Sequence, residues 1–261
     1  MELVTRYYDT DIVLKRAVDI ARPETIDRRT ALFYIHGGGW HAGARDSFHS
    51  HLQHFSRKGY VCASAGYRLS PGAKMADQMR DLVAGYETFL AYIRETGLNI
   101  DHVVVLGSSA GAHLASLLAL TSPSEWTGGT NPQNWLKPSA CVSINGPGTL
   151  EQWEPMHEGI KQDIELAAGT VYGQNPSLFR QLSPIARVDA NASDFLFLIV
   201  GKEQFFPHSF IYEMSDKLKG YGKRSEVRLF PDAEHGFFYG VNNPQQREAL
   251  TVLEPFLASY V

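Results

Sequence analysis

The chain is poor in several features that would mark out a protein class. It has 2 cysteines in 261 residues, Cys62 and Cys141. Each lies inside an apolar run that reads as a strand, so the expectation is two buried free thiols in a reducing cytosol, not a disulfide. Their placement offers no zinc spacing either. No apolar stretch approaches the ~18 residues needed to cross a bilayer. The opening MELVTRYYDTDIVLKR mixes charges among its apolar residues and lacks the uninterrupted apolar core of a signal peptide. The expected setting is therefore cytoplasmic, without a membrane partner. Positive charge is not in excess: 24 Lys and Arg against 28 Asp and Glu leave a net charge of −4. That balance gives no basic footprint for nucleic acid. Internal repeats, low-complexity tracts and linkers are lacking too, so residues 1–261 are expected to form a single domain.

What the chain does have is an alternation of short apolar runs and helical patterns. Glu2–Tyr8 and Ile12–Ala21 read as an antiparallel pair. Ala31–Ile35, Tyr60–Ala65, Val103–Leu106, Cys141–Ile144 and Phe195–Val200 are the near-continuous β-branched or aromatic runs of buried parallel strands. Val227–Phe230 supplies an eighth strand. Helices are expected over Met75–Arg94, Ala110–Leu120, Ser209–Leu218 and Gln245–Tyr260, the first from its 3.6-residue apolar spacing. This order predicts an α/β fold with a mostly parallel eight-stranded sheet flanked by helices. Two stretches interrupt the rhythm. Ser122–Pro138 reads as a long loop. Gly146–Asn191 has a helical piece near Ile160–Ala168 and is read as an insertion or lid.

Chemistry concentrates in three places. Gly107-Ser-Ser109-Ala-Gly111 is a G-x-S-x-G sequence between a buried strand and a strong helix former. In that context Ser109 is the candidate nucleophile, lifted on a sharp turn at a helix N-terminus. His36-Gly-Gly-Gly-Trp40 follows the third strand. Its uncrowded backbone N–H groups are candidates for an oxyanion hole: Gly38 and Gly39 with Ala110, and Gly37 as a further candidate. It lacks the Lys-Ser/Thr ending of a phosphate loop. His235, on the loop after the last strand, is the candidate base, and Glu203, after the Phe195 strand, the candidate acid. Asp232 is the alternative acid. His36 is expected to position the glycine loop and His113 to be a packed structural histidine. His49, His51 and His54 are spaced unlike a helical zinc pair and read as a solvated helix start, so no metal is expected. Trp40, Phe205, Phe206, Phe237, Phe238 and Tyr239 crowd the predicted site. They are either core or the wall of a small acyl pocket; Trp40, Phe205, Phe206 and Phe237 are the substrate-binding candidates.

Together with Gly66-Tyr-Arg-Leu-Ser-Pro71, Ser183-Pro-Ile185 and Glu-His235-Gly-Phe, these motifs resemble the α/β-hydrolase fold. More narrowly, the chain is similar to the hormone-sensitive-lipase-like carboxylesterases and their relatives, the bacterial feruloyl/acetyl esterases and kynurenine formamidases. The resemblance runs from about Ala31 to the C-terminus. It implies Ser109 as nucleophile, His235 as base, a small-molecule ester substrate and no cofactor. Two further readings stay open: an arylformamidase acting on N-formylkynurenine, and a ligand-binding protein that keeps the fold without catalysis. A homodimer also stays open. The family usually places Asp three residues after the glycine ending the acid-bearing strand; here Gln204 stands there and Glu203 precedes it. Few residues precede the first strand, so no large N-terminal cap is expected. Activity on short-chain or aryl esters is expected to fall as acidification charges His235.

Overall fold

In the computed structural model, residues 2–9, 15–25, 28–129 and 133–260 are described. Eight strands form one sheet: β1 (Glu2–Tyr7), β2 (Ala17–Arg22), β3 (Thr30–Ile35), β4 (Val61–Ala65), β5 (His102–Ser108), β6 (Ala140–Ile144), β7 (Asp194–Lys202) and β8 (Ser225–Glu234). Their order across the sheet is β1-β2-β4-β3-β5-β6-β7-β8. The β1–β2 and β2–β4 pairs are antiparallel and the rest are parallel. The expected strand Ile12–Ala21 begins outside the described residues, which omit 10–14; β2 starts at Ala17.

Strands with both faces covered should read as continuous apolar runs. Every residue of β3, β4 and β6 is buried. Side chains alternate between two cores, as the strand period of two requires. Phe33, Val103, Val105, Phe195 and Phe197 pack on one face, beneath helices α2 (Met75–Glu95), α3 (Ala110–Leu120) and α7 (His208–Gly220). Leu32, Tyr34, Val104, Leu106 and Leu198 pack on the other, against α1 (His49–Ser56) and α8 (Pro244–Ala258). All eleven residues of α3 are buried, which fits a helix hydrophobic all round. Cys62 and Cys141 are buried and free. Among the described residues, no helix is long and apolar enough to cross a membrane.

Two expectations need correction. Ser122–Pro138 is not loop throughout, since Pro123–Thr127 forms a short helix, α4. Pro at its first turn and the reciprocal Ser122–Glu125 capping box explain it. The histidines at 49–54 do not form a solvated helix start. His51 is fully buried, its ring edge-on to Phe238 at 4.8 Å. His49 and His54 are tied to Asp19 and Glu254 at 2.8 and 2.9 Å. Residues 146–191 carry α5 (Glu158–Ala168) and α6 (Pro176–Leu182).

Burial depresses three histidines from their ordinary value of 6.5: His36 to about 4, His51 to about 3 and His113 to about 4. Above pH 6.5 neither the folded nor the unfolded chain protonates these rings. Below it only the unfolded chain does, until the folded values are reached. Stability therefore falls between pH 6.5 and about 4, by roughly 1.4 kcal/mol per pH unit for each histidine. The urea midpoint is expected to drop steeply from pH 6.5 to 5. His51 has no hydrogen-bond partner on either ring nitrogen, so His51→Leu should make that drop shallower. A midpoint independent of pH over this range would contradict the assignment.

Candidate active site

Ser109 stands between β5 and α3 with φ 55° and ψ −124°, a backbone conformation costly for a residue with a Cβ. Its neighbours permit the turn. A Cβ on Gly107 would lie 2.2 Å from the Gly111 carbonyl oxygen, and one on Gly111 would lie 2.2 Å from the Ile35 oxygen. Only glycine lets the helix start this close to both strands. The Ser109 N–H donates to the Ile144 oxygen at 2.8 Å, while its carbonyl accepts from Ala112 and His113 at 2.9 and 3.1 Å. The hydroxyl is thereby held above the carboxyl ends of the strands, at the first turn of α3, where open sheets of this kind bind ligands.

Two loops at the same edge complete the constellation. The Ser109 hydroxyl lies 2.8 Å from His235 Nε2. His235 Nδ1 lies 2.9 and 3.1 Å from the two carboxylate oxygens of Glu203. Glu203 follows β7, and His235 follows β8. Burial raises the Glu203 pKa, but the hydrogen bond and charge of His235 and the N–H groups of Phe205 and Phe206 outweigh it, leaving the group below its ordinary value. It is thus held as a carboxylate facing the ring nitrogen remote from Ser109. Asp232, the alternative acid, is exposed.

The glycine loop runs beside Ser109. Gly38, Gly39 and Trp40 have φ of 109°, 58° and 63°. The Gly38 carbonyl accepts from Ala42 and His41 N–H at 2.8 and 3.1 Å, closing the loop on itself. Gly37 N–H donates to the Tyr239 hydroxyl at 3.0 Å. Among the described residues, the N–H groups of Gly38 and Gly39 donate to no protein acceptor. His36, as expected, braces the loop. Its Nδ1 meets the Gly37 oxygen at 2.8 Å, and its ring stacks on Tyr67 at 4.3 Å. The Tyr67 hydroxyl donates to the His36 oxygen at 2.8 Å. Arg68, the next residue, forks onto the buried Asp81 with two bonds of 2.8 Å. The Gly66–Pro71 motif is therefore a support for the glycine loop.

A cavity of about 480 Å3 opens here, lined by residues including Gly37, Gly38, Ser47, Ser109, His235 and Tyr239. The expected substrate-binding aromatics divide. Phe205 and Phe206 stand beside His235, with ring centres at 4.9 and 5.8 Å. Trp40 does not face the cavity. It is buried in the core, its indole N–H donating to His113 Nδ1 at 3.2 Å while His113 Nε2 donates to the Leu182 oxygen at 2.8 Å. An indole with a satisfied N–H is well placed in a core. Phe237 packs against Phe230 and Phe238 in the α8-side core, with ring centres at 5.1 and 5.6 Å. Three neighbours carried no sequence signal. Residues 146–191 reach the site through Trp153, 6.4 Å from Phe206, and His157, 5.5 Å from Phe205. Asp163 of α5 pairs with His41 at 3.2 Å.

An eight-stranded, mostly parallel sheet bearing a serine on a strained strand-to-helix turn and a glycine loop at the same edge defines an α/β-hydrolase. The chain belongs to the BD-FAE family, hormone-sensitive-lipase-like members of that class, whose family model matches residues 18–218. It is similar to the esterase LipQ of Mycobacterium tuberculosis, at 28% identity over 83% of this chain and 52% of LipQ. The chain spans about half the length of the curated relatives it matches. Among solved structures it resembles esterase Est2 of the planctomycete Thermogutta terrifontis, with a TM-score of 0.79, 22% identity and coverage of 98% of this chain and 92% of that one. It also resembles that organism's esterase 2 phosphonylated by sarin, with a TM-score of 0.81, 21% identity and coverage of 98% and 94%.

The backbone strain at Ser109 has a measurable consequence. Ser109→Gly removes the Cβ that makes this conformation costly, whereas Ser109→Ala keeps it. The glycine variant is expected to be about 1 kcal/mol more stable than the alanine variant by chemical denaturation. Equal stabilities would mean that the turn stores no strain.

Proposed function

We propose that the protein is a serine hydrolase of carboxylic esters. The observation that carries this reading is the unbroken relay Glu203–His235–Ser109, with both bridging distances at or below 3.1 Å. In the proposed cycle His235 Nε2 takes the Ser109 proton as the hydroxyl attacks the ester carbonyl. The oxyanion lies on the N–H groups of Gly38, Gly39 and Ala110, each worth on the order of 3 kcal/mol of barrier. His235 then gives its proton to the leaving alcohol, and water attacks the acyl-enzyme by the same route. Glu203 holds the imidazole in the tautomer with Nδ1–H and stabilises its charged form. A fold neighbour phosphonylated by sarin is consistent with a reactive hydroxyl at such a turn.

The proposed substrates are short-chain or aryl esters. Phe205, Phe206, Trp153 and His157 form a wall of rings beside His235, suited to a small apolar or aromatic group. The inserted residues 146–191 supply half of that wall and serve as a lid in this reading. One domain carries the whole site.

Ser109→Ala is expected to abolish both hydrolysis of p-nitrophenyl butyrate and labelling by a fluorophosphonate, with the melting temperature kept. Glu203→Gln should lower kcat by on the order of 10^3 to 10^4. Turnover by the alanine variant would sink the assignment, as would failure of the wild type to label. Across a p-nitrophenyl series, acetate and butyrate should exceed octanoate and palmitate in kcat/KM by at least about tenfold, a loss of ~1.4 kcal/mol. The opposite order would refute the small pocket.

A further inference from the structure

Tyr239 lies four residues past His235, on the same loop, and its hydroxyl is the acceptor for Gly37 N–H at 3.0 Å. The packing around this bond is close. A Cβ on Gly37 would lie 2.5 Å from the Tyr239 oxygen and 3.1 Å from Ser109 Cβ. The phenol oxygen, the Gly37 backbone and the nucleophile's side chain therefore meet at one point of the cavity wall. The tyrosine is fixed on its other sides. Its ring packs on Phe48 at 5.1 Å, and its carbonyl accepts from the Ser50 hydroxyl at 3.2 Å.

We propose that Tyr239 is a positioning residue for the reaction: its phenol oxygen binds Gly37 N–H and so aims the next two amides, Gly38 and Gly39, at the oxyanion. The proposal rests on the hydrolase reading above. With Gly37 N–H engaged by Tyr239 and its carbonyl against His36 Nδ1 at 2.8 Å, Gly37 is held at both its polar atoms. The loop can then enter its run of left-handed residues from one fixed direction. Without the phenol oxygen, Gly37 N–H would be an unpaired donor beside Ser109, free to turn into the cavity and pull the loop with it. The segment that carries the base would thus also set the oxyanion donors. Gly37 itself, a sequence candidate for the oxyanion hole, is assigned to this anchoring bond.

Tyr239→Phe keeps the ring on Phe48 and removes only the oxygen. It is expected to lower kcat for p-nitrophenyl butyrate about tenfold with KM within twofold. Fluorophosphonate labelling, which also passes through an anionic oxygen, should slow by a similar factor. The pH profile should keep its midpoint, because His235 is untouched. Ser50→Ala removes the bond to the Tyr239 carbonyl and leaves Gly37 alone, so it should retain kcat within twofold. An active wild type with Tyr239→Phe unchanged in kcat would overturn the proposal. So would a rise in KM at constant kcat, or an equal loss of kcat in Ser50→Ala, which would mark general loosening of the loop. A wild type that neither turns over nor labels would overturn the hydrolase reading, and this one with it.

Discussion

Everything at the site depends on backbone meeting backbone where β5 gives way to α3. Gly107 faces the Gly111 carbonyl, and Gly111 faces the carbonyls of Ile35 and His36, at separations that leave no room for a methyl group. That contact draws the first turn of α3 down between β3 and β5. Ser109 is then forced out of the sheet in a conformation that its own Cβ disfavours. The cost is tolerable because α3 is buried along its whole length. Burial of its leucines under α2 and the inserted residues supplies stability of a larger order than one strained dihedral pair. The same contact brings the His36 backbone against α3, so the glycine loop and Ser109 share one rigid foundation.

The glycine loop lacks a regular backbone ladder and is held from outside. Tyr67 reaches it from the segment after β4, through the His36 carbonyl. Gln78 of α2 donates to the Trp40 oxygen at 2.8 Å, and His113 of α3 takes the Trp40 indole N–H. Tyr239 holds Gly37 from the His235 loop. Asp163 of α5 holds His41 from the insertion. Five separate segments thus converge on six residues, 36–41. Each contributes one directional bond, and together they replace the regular ladder that a strand or helix would have provided. A loop of this kind can keep two N–H groups free of protein acceptors without losing its shape.

This division explains what could be read from the chain in advance. Strands with both faces buried leave continuous apolar runs, and α3 leaves a helix-forming sequence bounded by its own glycines, so the sheet and the Ser109 turn were visible locally. That Ser109, His235 and Glu203 share one edge was legible because each stands at the end of a recognisable strand. The supports were not. Trp40 looked like a pocket residue because it follows the glycines; its direction is set by His113, 73 residues away. His51 looked solvated among polar neighbours, but its side of α1 packs under Phe238 from the other end of the chain. Phe237 and Phe238 are adjacent aromatics in a site motif, yet both belong to the α8-side core. Such long-range choices leave no periodic trace in the sequence. The short helix α4 is different: its capping box is local, but it lies within a stretch rich in loop-forming residues.

The acid shows how a departure from pattern is absorbed by geometry. Gln204 occupies the position three residues after Gly201, and the carboxylate comes instead from one residue earlier. Glutamate is longer than aspartate by one methylene, which offsets the backward step and lets Glu203 reach His235 Nδ1 with both oxygens. The longer side chain has more rotamer freedom to lose. Here it is restrained by its own loop: Gln204 and Phe205 N–H donate to the same carboxylate oxygen at 3.1 and 2.9 Å. Those two bonds fold the chain around the carboxylate and set Phe205 and Phe206 beside the imidazole. The glutamate therefore orients the histidine and shapes the aromatic wall with one side chain. Were the carboxylate absent from residue 203, the N–H groups of Gln204 and Phe205 would lose their shared acceptor, and the ring wall would lose the bonds that place it.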